Sequence, residues 1–322
     1  MVMATAMERR RLGRTDIEIT ALGLGTNKFS GGQGLTGLVF PEIPQGEVDA
    51  IVRAALDGGS NWFDTAEMYG GGRSEQALGS ALRGAGARDD EVVVVDKWMP
   101  LMRTAGDIGR SIDQRLGFLG GYAIDLYMVH QPWGLSSPEA EMEAMADLVE
   151  AGQVRTVGVS NFGVERMRRA HAALERRGLP LAANQVRYGL LHREIERNGV
   201  LDAAKELGVT IIAWEPLASG LLTGKFHREP ERLRQAGFVR GMMLRRGMER
   251  TRPVVEALEE VAVRHGATPA QVALNWVVSF QGESVGAIPG ASKARHAAEN
   301  AAAGGFRLSE EELGRLDAVS RG

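Results

Sequence analysis

Short apolar runs recur about every 30 residues along this chain, with helical patterns between them, and this periodicity narrows the fold more than any other feature. The runs are ALGLG (21–25), NWFD (61–64), EVVVVDK (91–97), IDLYMVH (124–130), VRTVGVSN (154–161), LAANQ (181–185), VTIIAW (209–214) and SVGAIPG (284–290). Several are rich in valine and isoleucine without polar alternation, the pattern of strands buried on both faces of a parallel sheet. Between them, Val48, Ile51, Val52 and Ala55 make an apolar stripe at helical spacing. Ser137 and Pro138, ahead of Met142, Met145 and Val149, supply a cap, a first-turn proline and another stripe. Eight strands alternating with helices predict a closed (β/α)8 barrel, a TIM barrel, of about 250 residues plus insertions. On this reading residues 1–322 form a single domain, and an open doubly wound sheet is the rival arrangement.

Two pieces fall outside the eight units. Residues 8–20 predict an N-terminal β-hairpin turned at Gly13–Asp16, and residues 219–250 predict a long loop after strand seven.

The chain of 322 residues is 44% hydrophobic, ample for a large core, and its net charge of −3 gives no general attraction to nucleic acid. It has no cysteine, which excludes disulfides, thiolate metal sites and cysteine nucleophiles and suits a reducing compartment. No run of 18 apolar residues and no signal-peptide core is present, so the expectation is a cytoplasmic protein with no membrane span.

Two stretches look like nucleotide-binding motifs and fail on inspection. GQGLTG (32–37) fits a dinucleotide fingerprint, but Pro41 and Pro44 follow where a helix should open. GLLTGKF (220–226) has the wrong glycine spacing for a phosphate loop, and Phe226 stands where Ser or Thr would bind magnesium. No His-Glu-x-x-His pair exists, so no zinc site is expected.

The chemistry lies at the strand ends. In a barrel the C-terminal strand ends share one mouth. Asp64, Lys97 and His130 close three successive runs, each 33 residues from the next, and Tyr69 follows Asp64 above the same mouth. A phenol with a pKa of about 10 keeps a proton at neutral pH. A lysine ammonium about 4 Å away is worth at most roughly 4 kcal/mol at an effective dielectric of 20, or about three pKa units of lowering. Desolvation opposes the shift, so a modest net lowering is expected. Asp64 would keep Lys97 charged, and a neutral His130 would donate to a carbonyl oxygen. The set suits protonating an oxygen that becomes an alkoxide, and it lacks the nucleophile or paired carboxylates of a hydrolase. The glycines after Tyr69 allow the loop to bend, while Glu67 and Arg73 read as solvated residues.

FDTAEMYG, the lysine ending VVVVDK, LYMVHQPW, VGVSNF, PLASGLLTGK and IPGASK....AAEN stand in the order and spacing of the aldo-keto reductases, which the sequence resembles over nearly its whole length. The resemblance implies hydride transfer from NADPH, less often NADH, to a small-molecule aldehyde or ketone without a metal. It assigns Tyr69 as general acid, Lys97 and Asp64 as its tuning pair, and His130 as carbonyl orienter. It places the nicotinamide carboxamide on Ser160, Asn161 and Gln185, and the ring on Trp214. It places the pyrophosphate along Pro216 to Leu222, including Leu217, Ser219 and Gly220, with Lys225 nearby. Gly25, Thr26 and Asp64 fall beside the cofactor. Gly290, Ser292, Lys293 and His296 match the segment around the 2′-phosphate, with Glu299 and Asn300 at the adenine. Trp98 and Trp133, following Lys97 and His130, would line the mouth for an apolar or ring-shaped substrate.

Three positions depart from the family pattern. Trp214 replaces the commoner tyrosine and is similar to the potassium-channel β-subunit branch, so an NADP(H)-binding regulatory subunit with little turnover is the alternative reading. Glu215 stands where a serine usually meets the pyrophosphate, and would repel it unless it turns away or pairs with an arginine. His296 replaces the frequent arginine or glutamine, while Lys293 and Arg295 still favour NADP over NAD. The nine Lys and Arg residues of 225–252 read as a solvated loop or as a lid over the adenosine. Monomer and homo-oligomer both stay open.

Overall fold

The computed structural model describes residues 7–31, 42–229, 231 and 238–321, with side chains in the last segment from 248 onward. Two short strands, β1 (Arg9–Arg11) and β2 (Glu18–Thr20), pair antiparallel as the expected hairpin. Eight parallel strands follow: β3 (Leu24–Gly25), β4 (Trp62–Asp64), β5 (Val93–Trp98), β6 (Ile124–Val129), β7 (Val154–Ser160), β8 (Leu181–Arg187), β9 (Thr210–Trp214) and β10 (Val285–Ala287). Each pairs with the next in chain order from β3 to β10. The edges meet through bridges Leu22–Ala287 and Gly25–Gly290, with Gly23 N–H donating to Ala287 O at 2.9 Å. The sheet therefore closes as the (β/α)8 barrel that the eight runs predict, and not as an open doubly wound sheet.

Alternation along the strands explains why the runs read as continuously apolar. Val93, Val95, Leu126, Met128, Ala183 and Ile212 belong to one buried cluster inside the barrel. Val94, Tyr127, Val129, Ile211 and Ala213 belong to another, between barrel and helices. With both faces covered, neither parity needs a polar side chain.

Helix α1 (Gln45–Asp57) buries Val48, Ile51, Val52 and Ala55, the stripe expected from spacing. Helices α2 (Arg73–Ala85), α3 (Gly106–Leu119), α4 (Pro138–Glu150), α5 (Val164–Glu175) and α6 (Val200–Leu207) continue the alternation. In α4 the Ser137 hydroxyl caps Ala140 N–H with Pro138 in the first turn. After β9 come α7 (Lys225–Arg228), α8 (Phe238–His265) and α9 (Pro269–Ser279), and after β10 come α10 (Ala294–Ala302) and α11 (Glu310–Ser320). The expected loop at 219–250 is thus too long by its second half, because α8 begins at Phe238. Arginine, methionine and leucine are good helix formers and outweigh the glycines there. The 32–37 motif and Arg232 and Arg234 lie outside the described residues. Among the described residues no helix is long and apolar enough to cross a membrane.

The hairpin seals the N-terminal end of the barrel. Leu12, Ile17 and Ile19 join the interior cluster with Trp62 and Ala182. Gly13 N–H donates to Thr210 Oγ1 at 2.7 Å, and Arg10 Nη1 donates to Val285 O at 2.5 Å and Gly282 O at 3.2 Å. Gly13 has φ +58°, and a Cβ there would lie 2.5 Å from Ala182 O. Gly152 has φ +70° with nothing within 4 Å of a Cβ. Gly152→Ala is expected to cost about 1 kcal/mol for its backbone alone. Gly13→Ala should cost at least twice that in a urea titration, and equal costs would show that the hairpin does not press against β8.

Candidate active site

Asp64 ends β4, Lys97 lies one residue from the end of β5, and His130 follows β6. Asp64 and Lys97 share the inward parity of Trp62 and Val95, so both side chains enter the barrel at its C-terminal mouth. Lys97 Nζ donates to Asp64 Oδ1 at 2.6 Å and to Thr65 O at 2.6 Å. The other carboxylate oxygen accepts from Gln185 Nε2 at 2.7 Å. Lys97 is 0% and Asp64 1% exposed, a buried pair with its hydrogen-bonding capacity well used.

Tyr69 arrives on the loop after β4. Glu67 N–H donates to Lys97 O at 3.2 Å, and Tyr69 N–H turns back to Ala66 O at 2.9 Å. Gly70, Gly71 and Gly72 all have positive φ, and a Cβ on Gly70 would run into Ser30 O. The loop folds its phenol over Lys97, with Nζ 5.2 Å from the ring centre. His130 meets the same ring edge-on, with centroids 5.7 Å apart and planes at 81°. The four residues expected at the strand ends are one cluster.

Burial dominates their ionisation. Desolvation raises the Asp64 carboxyl, with Lys97 and Gln185 opposing. Burial alone would lower Lys97, but Asp64 and Tyr69 outweigh it and leave the ammonium above 10.5. Tyr69 is raised, not lowered as the sequence suggested: desolvation of the phenolate exceeds the pull of Lys97, and Asp64 adds to it. Desolvation and then Lys97 push His130 down to about 3, so it is neutral, and its Nδ1 has no hydrogen-bond partner among the described residues.

The residues matched to the nicotinamide gather around this cluster. Ser160 Oγ donates to Gln185 O at 3.0 Å, and Asn161 Nδ2 donates to Ser160 Oγ at 3.0 Å and Gln131 Oε1 at 3.3 Å. Trp214 Nε1 donates to Asn161 Oδ1 at 3.1 Å, which fixes the indole at the rim. Glu215 is paired with Arg187 at 2.6 Å, the arrangement that relieves its conflict with a phosphate. The Arg187 guanidinium lies 5.6 Å from the Trp214 ring centre. Ser219 also donates to Glu215. Glu215, Ala218 and Ser219 have φ of 55°, 47° and 56°, and Gly220 follows at 90°. Such left-handed residues form the backbone concavities that bind anions.

Some positions serve the frame. Thr26 N–H and Oγ1 both donate to Asp64 O at 2.9 Å, so this residue holds Asp64. Gly25 bridges Asp64 and Gly290 at the closing seam. Leu222 is fully buried, leaving only its backbone for a ligand, as do the close-set Pro216 and Gly189, where a Cβ would lie 2.8 Å from Pro216 O. Lys225, Arg228, Thr268, Arg295, His296 and Glu299 line a cleft of about 320 Å³. Glu299 accepts from Thr268 Oγ1 at 2.6 Å, Ser292 Oγ lies 3.4 Å from His296 Nδ1, and Lys293 is 3.9 Å from Glu47. Asn300 is buried with its amide nitrogen unpartnered among the described residues. Leu217 flanks the curl, packed against the outer core.

Two further expectations need correction. Trp98 does not line the mouth: it is 0% exposed and belongs to the outer cluster, because it has the opposite parity to Lys97. Glu67 is not solvated: it accepts from Met99 N–H and Arg103 at 2.5 Å each. Trp133 is 56% exposed, beside exposed Leu135, whose N–H donates to Arg103 O at 3.0 Å. Gln131, Arg187 and Arg103 were missed, although HQPW and VRYG placed the first two beside recognised positions.

The aldo/keto reductase family profile matches residues 21–321. The chain belongs to the aldo/keto reductase family. It is 36% identical over 307 residues to an uncharacterized oxidoreductase of Mycobacterium tuberculosis, covering 94% of this chain and 90% of that one. It is 30% identical to the chloroplastic pyridoxal reductase of Arabidopsis thaliana over 317 residues, covering 95% and 84%. A solved thermostable aldo-keto reductase, bound to the inhibitor epalrestat, superposes with a TM-score of 0.77 at 32% identity, covering 97% and 100%. Reductases of this family use nicotinamide cofactors, and the left-handed curl and the cationic cleft fit such a dinucleotide.

Asp64→Asn removes the counter-charge and leaves the ammonium buried. The expected cost is about 3–5 kcal/mol of unfolding free energy. The double variant Asp64→Asn with Lys97→Met should recover part of it, and an additive pair would refute the coupling.

Proposed function

We propose that this protein reduces an aldehyde or ketone to the alcohol with NADPH, with Tyr69 as the proton donor. The observation that carries the reading is the cluster of Tyr69, Lys97, Asp64 and His130 at one strand-end mouth. When bound, NADPH supplies the hydride. Ser160, Asn161 and Gln185 would hold its carboxamide and Trp214 its ring, with the 216–222 backbone at the pyrophosphate. Lys225, Arg228 and Arg295 supply three cations around one cleft, which supports NADPH over NADH through attraction to a 2′-phosphate.

The chain's own residues handle the proton and the carbonyl. Neutral His130 donates a hydrogen bond to the carbonyl oxygen, orienting it and stabilising the charge that develops there. Tyr69 delivers its proton to that oxygen as it becomes an alkoxide, which is far more basic than a phenolate. Lys97 stabilises the phenolate left behind, and Asp64 keeps Lys97 charged and in place. The raised phenol suits a donor, since it stays protonated across the neutral range.

Exposed Trp133 favours a substrate with an apolar or ring-shaped body, and the relative named pyridoxal reductase makes pyridoxal the first candidate. We read residues 1–322 as one reductase domain.

Tyr69→Phe should lower kcat by about 10²–10⁴-fold while leaving the NADPH dissociation constant near that of the parent. Unchanged turnover would overturn the role of Tyr69. Tight NADPH retention with no turnover of any carbonyl by the parent would instead favour a nucleotide-binding regulatory subunit. Because His130 titrates only at about 3, kcat should stay level from pH 7 down to pH 5. A fall near pH 6.5 would show a histidine that is charged in the working range.

A further inference from the structure

Behind the barrel wall, on the face of β5 opposite to Lys97, lies a buried acidic cluster that the proposed chemistry does not use. Asp96 points outward between inward Val95 and Lys97, beside Glu75 of α2, whose ion-pair partner is Arg115 of α3. Glu67 and Tyr127 of β6 complete its surroundings. Asp96 and Glu75 are both 0% exposed. Asp96 Oδ1 accepts the Lys97 amide at 2.7 Å, whereas Asp96 Oδ2 and Glu75 Oε1 meet no hydrogen-bond donor among the described residues. Arg115 Nη1 donates weakly to Glu75 Oε2 at 3.4 Å and stands 3.2 Å from Oε1, off the hydrogen-bond axis.

Two ionised carboxylates in contact have no hydrogen to share, and a single proton between them satisfies both. The charge count agrees. Glu67, Glu75 and Asp96 face two guanidiniums, Arg103 and Arg115, so one proton makes the cluster neutral.

The pair also lies between the two residues that matter most. Ser74 N–H donates to Tyr69 O at 3.2 Å, Glu75 is the next residue in the first turn of α2, and Asp96 immediately precedes Lys97. We propose that Glu75 and Asp96 share one proton, and that Glu75 is thereby a positioning residue that ties the loop of Tyr69 to the strand of Lys97. The positioning role rests on the reading of Tyr69 as proton donor; the shared proton does not.

Burial, with Asp96 adding and Arg115 opposing, pushes Glu75 up to about 9. A carboxyl raised in the fold is protonated at neutral pH and loses its proton as pH rises through that value. Two touching carboxylates then remain, and the tie weakens on the alkaline side.

Glu75→Gln keeps a donor toward Asp96 at every pH, whereas Glu75→Ala removes the tie. Glu75→Ala should lower kcat at pH 7 by about tenfold with KM and the NADPH dissociation constant within about twofold, and Glu75→Gln should restore it. In the parent kcat should fall as pH passes about 9, and in Glu75→Gln only as the phenol itself ionises. Two readouts need no turnover. At pH 8 an infrared band of a buried protonated carboxyl should be present in the parent and absent in Glu75→Gln. An ultraviolet titration referenced to Tyr69→Phe should show the Tyr69 phenol ionising at lower pH in Glu75→Ala, but not in Glu75→Gln. A parent without the infrared band would overturn the shared proton. A Tyr69 titration unmoved in Glu75→Ala would overturn the positioning role, whether or not a carbonyl is reduced.

Discussion

The buried ion pair of Lys97 and Asp64 sets the terms for everything around it. Two charges taken out of water cost more than their mutual attraction returns unless their remaining hydrogen-bonding capacity is met. Here Thr65 O takes a second ammonium proton and the Gln185 amide serves the second carboxylate oxygen. Thr65 follows β4 and Gln185 lies on β8, on different sides of the barrel, so the pair is fully satisfied only when the sheet has closed. Closure in turn depends on the seam at Gly25, where Ile288 O would lie 2.9 Å from any Cβ. Thr26 then fixes the backbone of Asp64 from the neighbouring strand end.

Much of this was legible in the sequence because a barrel buries both faces of its strands. Valine-rich runs and polar residues at their ends carried the strand count and the mouth together. Side-chain parity was the harder matter. Lys97 and Trp98 are adjacent in sequence, so one must face the interior and the other the helices, yet the run EVVVVDK is apolar at both parities and gives no direction. The ion pair resolves it, since only the inward parity brings Lys97 to Asp64. Glu67 was illegible for a different reason: its partners, Met99 N–H and Arg103, come from the next loop, and no local pattern announces a contact between loops.

The direction of the tyrosine shift turned on a quantity that sequence cannot supply. A lysine beside a phenol argues for a lower pKa, and the degree of water exclusion decides whether that argument wins. Here it loses, and the phenol holds its proton more firmly. Glu215 went the other way. A carboxylate that looked hostile to a phosphate acquires Arg187 from the neighbouring strand, which converts an isolated negative charge into a neutral pair at the rim. Neither outcome follows from the residue alone; each depends on what the adjacent strand end brings.

The hairpin beneath the barrel has a consequence for the order in which the chain can mature. Arg10 grips carbonyls that lie 272 and 275 residues further along, and Gly13 binds a hydroxyl 197 residues away. The hairpin, made before all eight barrel strands, thus waits for the last of them. Until β10 is made, Leu12, Ile17 and Ile19 have no complete interior to enter, and the inner valines of the early strands stay open to water. The stopper is made before the barrel and fitted after it. A nascent chain of this architecture therefore carries exposed apolar strands through most of its synthesis, which makes the growing chain, more than the finished barrel, the form in need of a chaperone.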